Sequence, residues 1–223
     1  MVVASSSLAS GFVFEFLDEV RTFYDALAPK HHERMGTDLT NLSVERFVLA
    51  TFADLVGPGA RVLDAGCGPG RVTAHLAGLG LAAEGLDLSP VMLDLARTAF
   101  PDLSFRLGSL TALDVPDGGL AGILAWYSFI HIPPEHRAAV MSELRRVLVP
   151  GGCVLLAFQV GDEVLQVVDP DGSDIALGFH RLDPDAVTAH LVEAGFERVL
   201  LTVREPERPR EVVPQALLIA RRR

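Results

Sequence analysis

A chain of 223 residues, 49% of them hydrophobic, is long enough to bury one sizeable core, and its length favours one domain. The formal net charge of −10, with basic residues scattered apart from Arg145-Arg146 and Arg221-Arg222-Arg223, argues against nucleic acid, which needs a coherent basic stripe. No apolar run is long enough to span a bilayer, the N-terminus lacks a basic signal region, and Cys67 and Cys153 form neither a disulfide framework nor a metal-ligand spacing. The expectation is a cytoplasmic protein with no metal and no membrane partner.

Apolar residues at helical spacing over 17–27 and 39–55 predict a helical cap ahead of the first strand. Then follow a strand over 61–65, a helix over 71–78, a strand over 82–86, a helix over 90–99 and a strand over 103–107, each joint carrying turn residues. This alternation implies a parallel sheet covered on both faces. A turn at Pro116-Asp117-Gly118-Gly119 precedes a fourth strand over 121–127. A long amphipathic helix over 134–148 comes next, with Pro150-Gly151-Gly152 as its stop before a fifth strand over 153–159. The polar segment 160–182 is too long for an ordinary connection and predicts a lid or a β excursion over the site. A helix over 183–194, capped by Asp183 with Pro184 in its first turn and stopped by Gly195, leads to two last strands over 197–203 and 215–220. No linker divides the chain. It reads as one domain: a cap (1–58), a cofactor-binding core (59–159), a lid insertion (160–182), and a C-terminal helix with an edge hairpin (183–223).

The stretch Val62-Leu63-Asp64-Ala65-Gly66-Cys67-Gly68-Pro69-Gly70-Arg71 is an apolar strand entering a glycine-rich turn that opens a helix. Glycine is required where a chain turns sharply off a buried strand and brings its backbone against a ligand. A dinucleotide fingerprint wants glycines at the first, third and sixth positions, but the sixth position from Gly66 is Arg71. Asp64, just before the loop, would repel a pyrophosphate and welcome an amino group or a sulfonium. Asp87 ends the second strand twenty-three residues after Asp64, the βαβ distance at which a carboxylate accepts the hydroxyls of a ribose, and Ser89 is available as the helix cap.

The segments VLDAGCGPGRVTAHLA, EGLDLSPVMLDLAR and RRVLVPGGCVLLAF together resemble the motifs of the class I S-adenosylmethionine-dependent methyltransferases, in the expected order from about residue 60 to 158. The resemblance implies an α/β fold: a doubly wound, Rossmann-like seven-stranded sheet in the order 3-2-1-4-5-7-6, its last strand antiparallel, with an N-terminal helical cap. It implies methyl transfer from S-adenosyl-L-methionine, leaving S-adenosyl-L-homocysteine, to a small-molecule acceptor such as a natural-product hydroxyl or amine, in a monomer or homodimer.

The cofactor residues so implied are Asp64, Gly66, Cys67, Gly68, Gly70 and Arg71 of the first loop, Asp87 with Leu88 and Met92 about the adenine, and Ser109 and Leu110 of the adenine-contact loop. Many relatives carry aspartate where this chain has Ser109. Cys67 reads as a small turn-filling side chain rather than a nucleophile. Arg71 has two readings, a partner for the cofactor carboxylate or a solvated first-turn arginine. Tyr24, in Tyr24-Asp25-Ala26-Leu27-Ala28, matches a cap tyrosine that covers the cofactor; relatives often repeat a tyrosine seven residues on, where this chain has His31. The exit of the fourth strand should bring Ala125 and Trp126 to the cofactor and Tyr127 and Phe129 to the substrate, although Trp126 and Phe129 also read as core. His131 follows on what reads as an extended loop, as a catalytic base or as a residue pinning that loop. His180 is a further substrate-side candidate. Two rival functions remain at this stage: an NAD(P)-dependent oxidoreductase, and a non-catalytic or repurposed S-adenosylmethionine-binding protein.

Overall fold

The computed structural model describes residues 15–35 (side chains as far as Ala28), 39, 42–168, 176–207 and 211–223. Two helices, α1 (Glu15–Met35) and α2 (Ser43–Val56), precede the sheet. The core alternates: β1 (Arg61–Ala65), α3 (Arg71–Gly78), β2 (Ala82–Asp87), α4 (Pro90–Ala99), β3 (Ser104–Leu107), β4 (Leu120–Trp126), α5 (Pro134–Val147) and β5 (Leu148–Gln159). A hairpin of β6 (Val164–Val168) and β7 (Ala176–His180) follows, then α6 (Pro184–Glu193), β8 (Phe196–Arg204) and β9 (Gln215–Arg222).

The seven-stranded sheet runs β3-β2-β1-β4-β5-β9-β8, and β9 lies antiparallel to both its neighbours. With the β6–β7 hairpin interposed, this is the expected order, its last two strands renumbered. Both faces are apolar because β5 alternates between two buried layers. Val154, Leu156 and Phe158 pack with α5 and α6, while Cys153, Leu155 and Ala157 pack with α2 and α3. Helix starts follow the local chemistry. Ser89 Oγ accepts from Met92 N at 3.0 Å with Pro90 behind it, and Asp183 accepts from Asp185 N at 3.2 Å ahead of Pro184.

One boundary differs in kind. Pro150-Gly151-Gly152 does not separate helix from strand but lies inside β5, which begins at Leu148. The register of β4 on β5 shifts between Leu120 and Gly122 to take up the extra residues, and a Cβ on Gly152 would stand 3.0 Å from Ala121 O. The helix α1 also runs well beyond the expected 17–27, and Val20 and Phe23 pack it onto Leu177 of β7. Among the described residues no helix is long and apolar enough to cross a membrane.

Candidate functional site

The carboxyl ends of β1, β2 and β4 open into a cavity of about 820 Å³, roofed by one face of α1 that presents Phe16, Val20 and Tyr24. A strand-order switch between β1 and β4 is where open α/β sheets bind ligands. The volume sits high in the ~300–1,000 Å³ range of single-ligand pockets, enough for a cofactor and a small second molecule.

At the end of β1, Asp64 is fully buried. Its Oδ2 accepts from Thr73 Oγ1 at 2.7 Å, and its Oδ1 has no hydrogen-bond partner among the described residues. Burial pushes its pKa up to about 6; the Thr73 bond opposes this and nearby Asp87 adds to it. The loop then folds back on β2: Gly66 and Cys67 N–H both donate to Leu86 O, at 2.7 and 3.0 Å. Gly66 has φ +84°, and a Cβ there would lie 2.2 Å from Ser128 Cβ, whose hydroxyl donates to Ala65 O at 2.6 Å. Only glycine lets the β1 and β4 loops touch.

Asp87 accepts from Gly68 N at 2.7 Å on one oxygen and from Ser89 N at 2.9 Å on the other. Burial raises its pKa against the pull of those backbone donors. Each oxygen retains a lone pair for a hydroxyl. Cys67 faces the cavity, but burial, with Asp64 and Asp87 adding, pushes its thiol well up, so it is an inert filler.

Ser109 bonds Thr111 through Oγ at 2.8 Å and lines the cavity. Its loop is clasped from behind by α5. Arg146 donates to Leu113 O (3.0 Å), Val115 O (2.8 Å) and Asp117 (2.7 Å), while Glu143 accepts from Leu113 N (2.7 Å) and from Arg146.

Tyr24 Oη lies 2.8 Å from His131 Nε2, and the His131 ring stands edge-on to Phe179 of β7, centroids 4.7 Å apart. Next to Tyr24, Asp25 accepts from Ser89 Oγ at 2.5 Å, which ties α1 to the cap of α4 beside Asp87. His131 is on a 3₁₀ turn, Phe129–His131, and is 7% exposed rather than carried on an open loop. Burial pushes its pKa down to about 4, the Gly178 backbone pulling the other way and His180 adding a little to the depression. The ring is therefore neutral at physiological pH and a weak base.

Of the residues singled out from the sequence, Tyr24, Asp64, Gly66, Cys67, Gly68, Arg71, Asp87, Leu88, Met92, Ser109, Leu110, Trp126, Tyr127 and His131 line the cavity together. Four others are absent from the lining. Phe129 and Ala125 are fully buried in the core on the α5 face, because strand alternation turns Ala125 away from the neighbouring Trp126. Gly70 is the left-handed cap of α3, and its missing Cβ makes room for Phe105 Cζ, 2.8 Å from where that atom would be. His180 ends β7 within the electrostatic reach of Arg137 and Glu135. The side chain of His31 lies outside the described residues. Sequence reasoning missed Glu45, Thr73, Asp25, Arg146, Arg204 and Glu211. Thr73, nine residues after Asp64, had a signal, since the first turn of α3 faces the strand it leaves.

The fold and site define a doubly wound α/β protein whose cavity, at the carboxyl ends of β1 and β2, is lined by two carboxylates and a glycine turn. Residues 62–152 match the family model of the methyltransferase domain. An O-methyltransferase of Pyrenophora dematioidea is 30% identical over 190 residues, 78% of this chain and 68% of that protein. A demethylmenaquinone methyltransferase of Beutenbergia cavernae is 30% identical over 141 residues, 62% of this chain and 57% of that protein, so the match spans little more than half of that relative. A 1,6-didemethyltoxoflavin-N1-methyltransferase of Burkholderia thailandensis, solved with 1,6-didemethyltoxoflavin and S-adenosylhomocysteine bound, shares the fold at TM-score 0.72 and 20% identity, covering 98% of this chain and 92% of that one. The chain belongs to the S-adenosylmethionine-dependent methyltransferase family, and its cofactor is S-adenosyl-L-methionine.

Proposed function

We propose that the chain transfers a methyl group from S-adenosyl-L-methionine to a small-molecule acceptor, a hydroxyl or an amine. The observation that carries this reading is the pairing of the orphaned, buried Asp64 Oδ1 with the Asp87 carboxylate in one cavity wall. The first fits an α-amino group and the second a ribose diol. Support for a small acceptor comes from the relatives, one named an O-methyltransferase and one an N1-methyltransferase of a small heterocycle.

When bound, the cofactor supplies a methyl group already activated on a sulfonium. The protein's work is then alignment and exclusion of water. Asp64 would hold the amino group of the cofactor and Asp87 its ribose, and Leu88, Met92, Ser109 and Leu110 are the lining residues that would receive its base. Tyr24 and His131 close the wall between the two ligands. Neutral His131 accepts a proton only weakly, so its main contribution is to hold Tyr24 in place, with proton uptake from a hydroxyl as a secondary one.

Calorimetric titration tests the reading. S-adenosylhomocysteine should bind and NAD should not, and Asp87→Ala should weaken binding by about 1.5–3 kcal/mol per charge-assisted bond lost. Unchanged affinity in that variant would remove the ribose assignment. Binding without S-adenosylhomocysteine production from S-adenosylmethionine across a broad acceptor screen would instead point to a non-catalytic binder.

A further inference from the structure

The half of the cavity away from the cofactor loops is walled by Glu45 of α2, Tyr127 after β4, Arg204 at the end of β8 and Glu211 ahead of β9, with Leu42 and Val212 beside them. A guanidinium has five N–H groups. In Arg204, Nε donates to Glu45 Oε1 (2.7 Å) and Nη2 reaches the same oxygen (2.5 Å). Nη2 also donates to Glu211 Oε1 (2.7 Å), and Nη1 donates to Glu211 Oε2 (2.5 Å) and to Glu205 O (3.1 Å). Four of these contacts are hydrogen bonds and the fifth is an ion-pair contact, so this cation is already paired with two carboxylates before any anionic ligand arrives. Among the described residues, two carboxylates on one guanidinium leave this wall with net negative charge.

The unmet group is an acceptor. Glu45 is 2% exposed, yet its Oε2 has no hydrogen-bond partner among the described residues. A buried carboxylate oxygen without a donor is costly, and a ligand N–H would relieve it. The other arginines of the lining serve elsewhere: Arg181 pairs with Glu163 at 3.0 Å, and Arg71 acts on Asp64 as well as Tyr127, at the border with the cofactor half. Tyr127 is held at φ +57°, the one non-glycine residue among those described with positive φ, a strain that persists where the surroundings enforce an unusual side-chain placement.

Resting on the methyltransferase reading above, we propose that this wall anchors the methyl acceptor through a protonated amine carried on an apolar or aromatic body, the ammonium donating to Glu45 Oε2. Leu42, Val212, Val213 and the Tyr127 ring receive the body. The anchored amine is distinct from the atom that is methylated, since a nucleophile must keep its lone pair free.

The probes are tryptamine and its carboxylate counterpart indole-3-propionate, each titrated into protein saturated with S-adenosylhomocysteine, whose own binding is measured first. Tryptamine should bind saturably and indole-3-propionate should not. Glu45→Gln should weaken tryptamine at least about tenfold with S-adenosylhomocysteine affinity unchanged. Glu211→Gln, which frees Arg204 donors, should weaken tryptamine and let indole-3-propionate bind. The proposal is overturned if tryptamine does not bind, if it binds both variants as tightly as the parent, or if indole-3-propionate is preferred by the parent. Failure of S-adenosylhomocysteine itself to bind would strike the underlying methyltransferase reading, and that measurement is separate. Should Glu45→Gln fail to fold, the Glu211→Gln pair of titrations decides.

Discussion

In the cofactor half of the cavity, neighbouring elements bond with a backbone group on at least one side: Gly66 and Cys67 N–H on Leu86 O, Gly68 N–H on the Asp87 carboxylate, Ser128 Oγ on Ala65 O. In the acceptor half, side chains far apart in sequence do the joining. Arg204 meets Glu45 across 159 positions there, and Tyr24 meets His131 across 107 at the border between the halves. A half built on bonds to the backbone at the ends of adjacent strands is locked once the sheet forms. A half built on side-chain pairs can change its specificity by single substitutions without disturbing the sheet. The comparison therefore separates what must be kept to hold a common cofactor from what is free to vary with the acceptor.

The largest effect should come from the rigid half. Gly66→Ala forces a left-handed alanine and a Cβ 2.2 Å from Ser128 Cβ. A loss of about 2–5 kcal/mol in urea unfolding, together with loss of S-adenosylhomocysteine binding, is expected. A well-folded, binding-competent alanine variant would break the comparison at its strongest point.

Next is the pH dependence of cofactor binding. In the folded protein Asp64 titrates near 6 against an ordinary value of 3.8. The folded state therefore binds the extra proton between these values, and this group's contribution to stability rises as pH falls through 6. A ligand whose α-amino cation sits on Asp64 needs the ionised form. Its affinity should climb about tenfold per pH unit below about pH 6 and then level off. Asp64→Asn should flatten that profile. His131 has the opposite sign: it is lowered from 6.5 to about 4, so its contribution is complete above pH 6.5 and is lost as pH falls toward 4. Denaturant midpoints across that window for Asp64→Asn should show a steeper acid loss than the parent.

A smaller effect sharpens the boundary between the halves. Arg146 is not one of the residues lining the cavity, but it clasps the loop that carries Ser109 and Leu110. Arg146→Met should weaken S-adenosylhomocysteine several-fold in calorimetry while tryptamine affinity stays as in the parent, and Arg146→Lys should restore part of the loss. Equal damage to both ligands would mean a general loss of packing.

Smallest is Tyr24→Phe, which removes the hydroxyl on His131 Nε2 and should cost about 0.5–1.5 kcal/mol of stability. Thermal unfolding of the single and double variants with His131→Ala would show coupling if the two act as a pair.

What the sequence determined by itself is the local part. Strand and helix periods, the Ser89 and Asp183 caps, the glycine turn and the carboxylates Asp64 and Asp87 follow from short-range chemistry, and the structure places both acids in one wall. Strand parity was harder, since one residue of slip exchanges the faces. Trp126 reaches the cavity where its neighbour Ala125 does not. Only the tertiary structure decided the rest. Neither an acid in the first turn of α2 nor an arginine at the end of an edge strand announces its partner, because an ion pair across 159 residues leaves no period or spacing in the chain. The weakness of His131 as a base was equally invisible. Its pKa is set by burial beneath α1 and β7, elements that fold over it from both ends of the sequence.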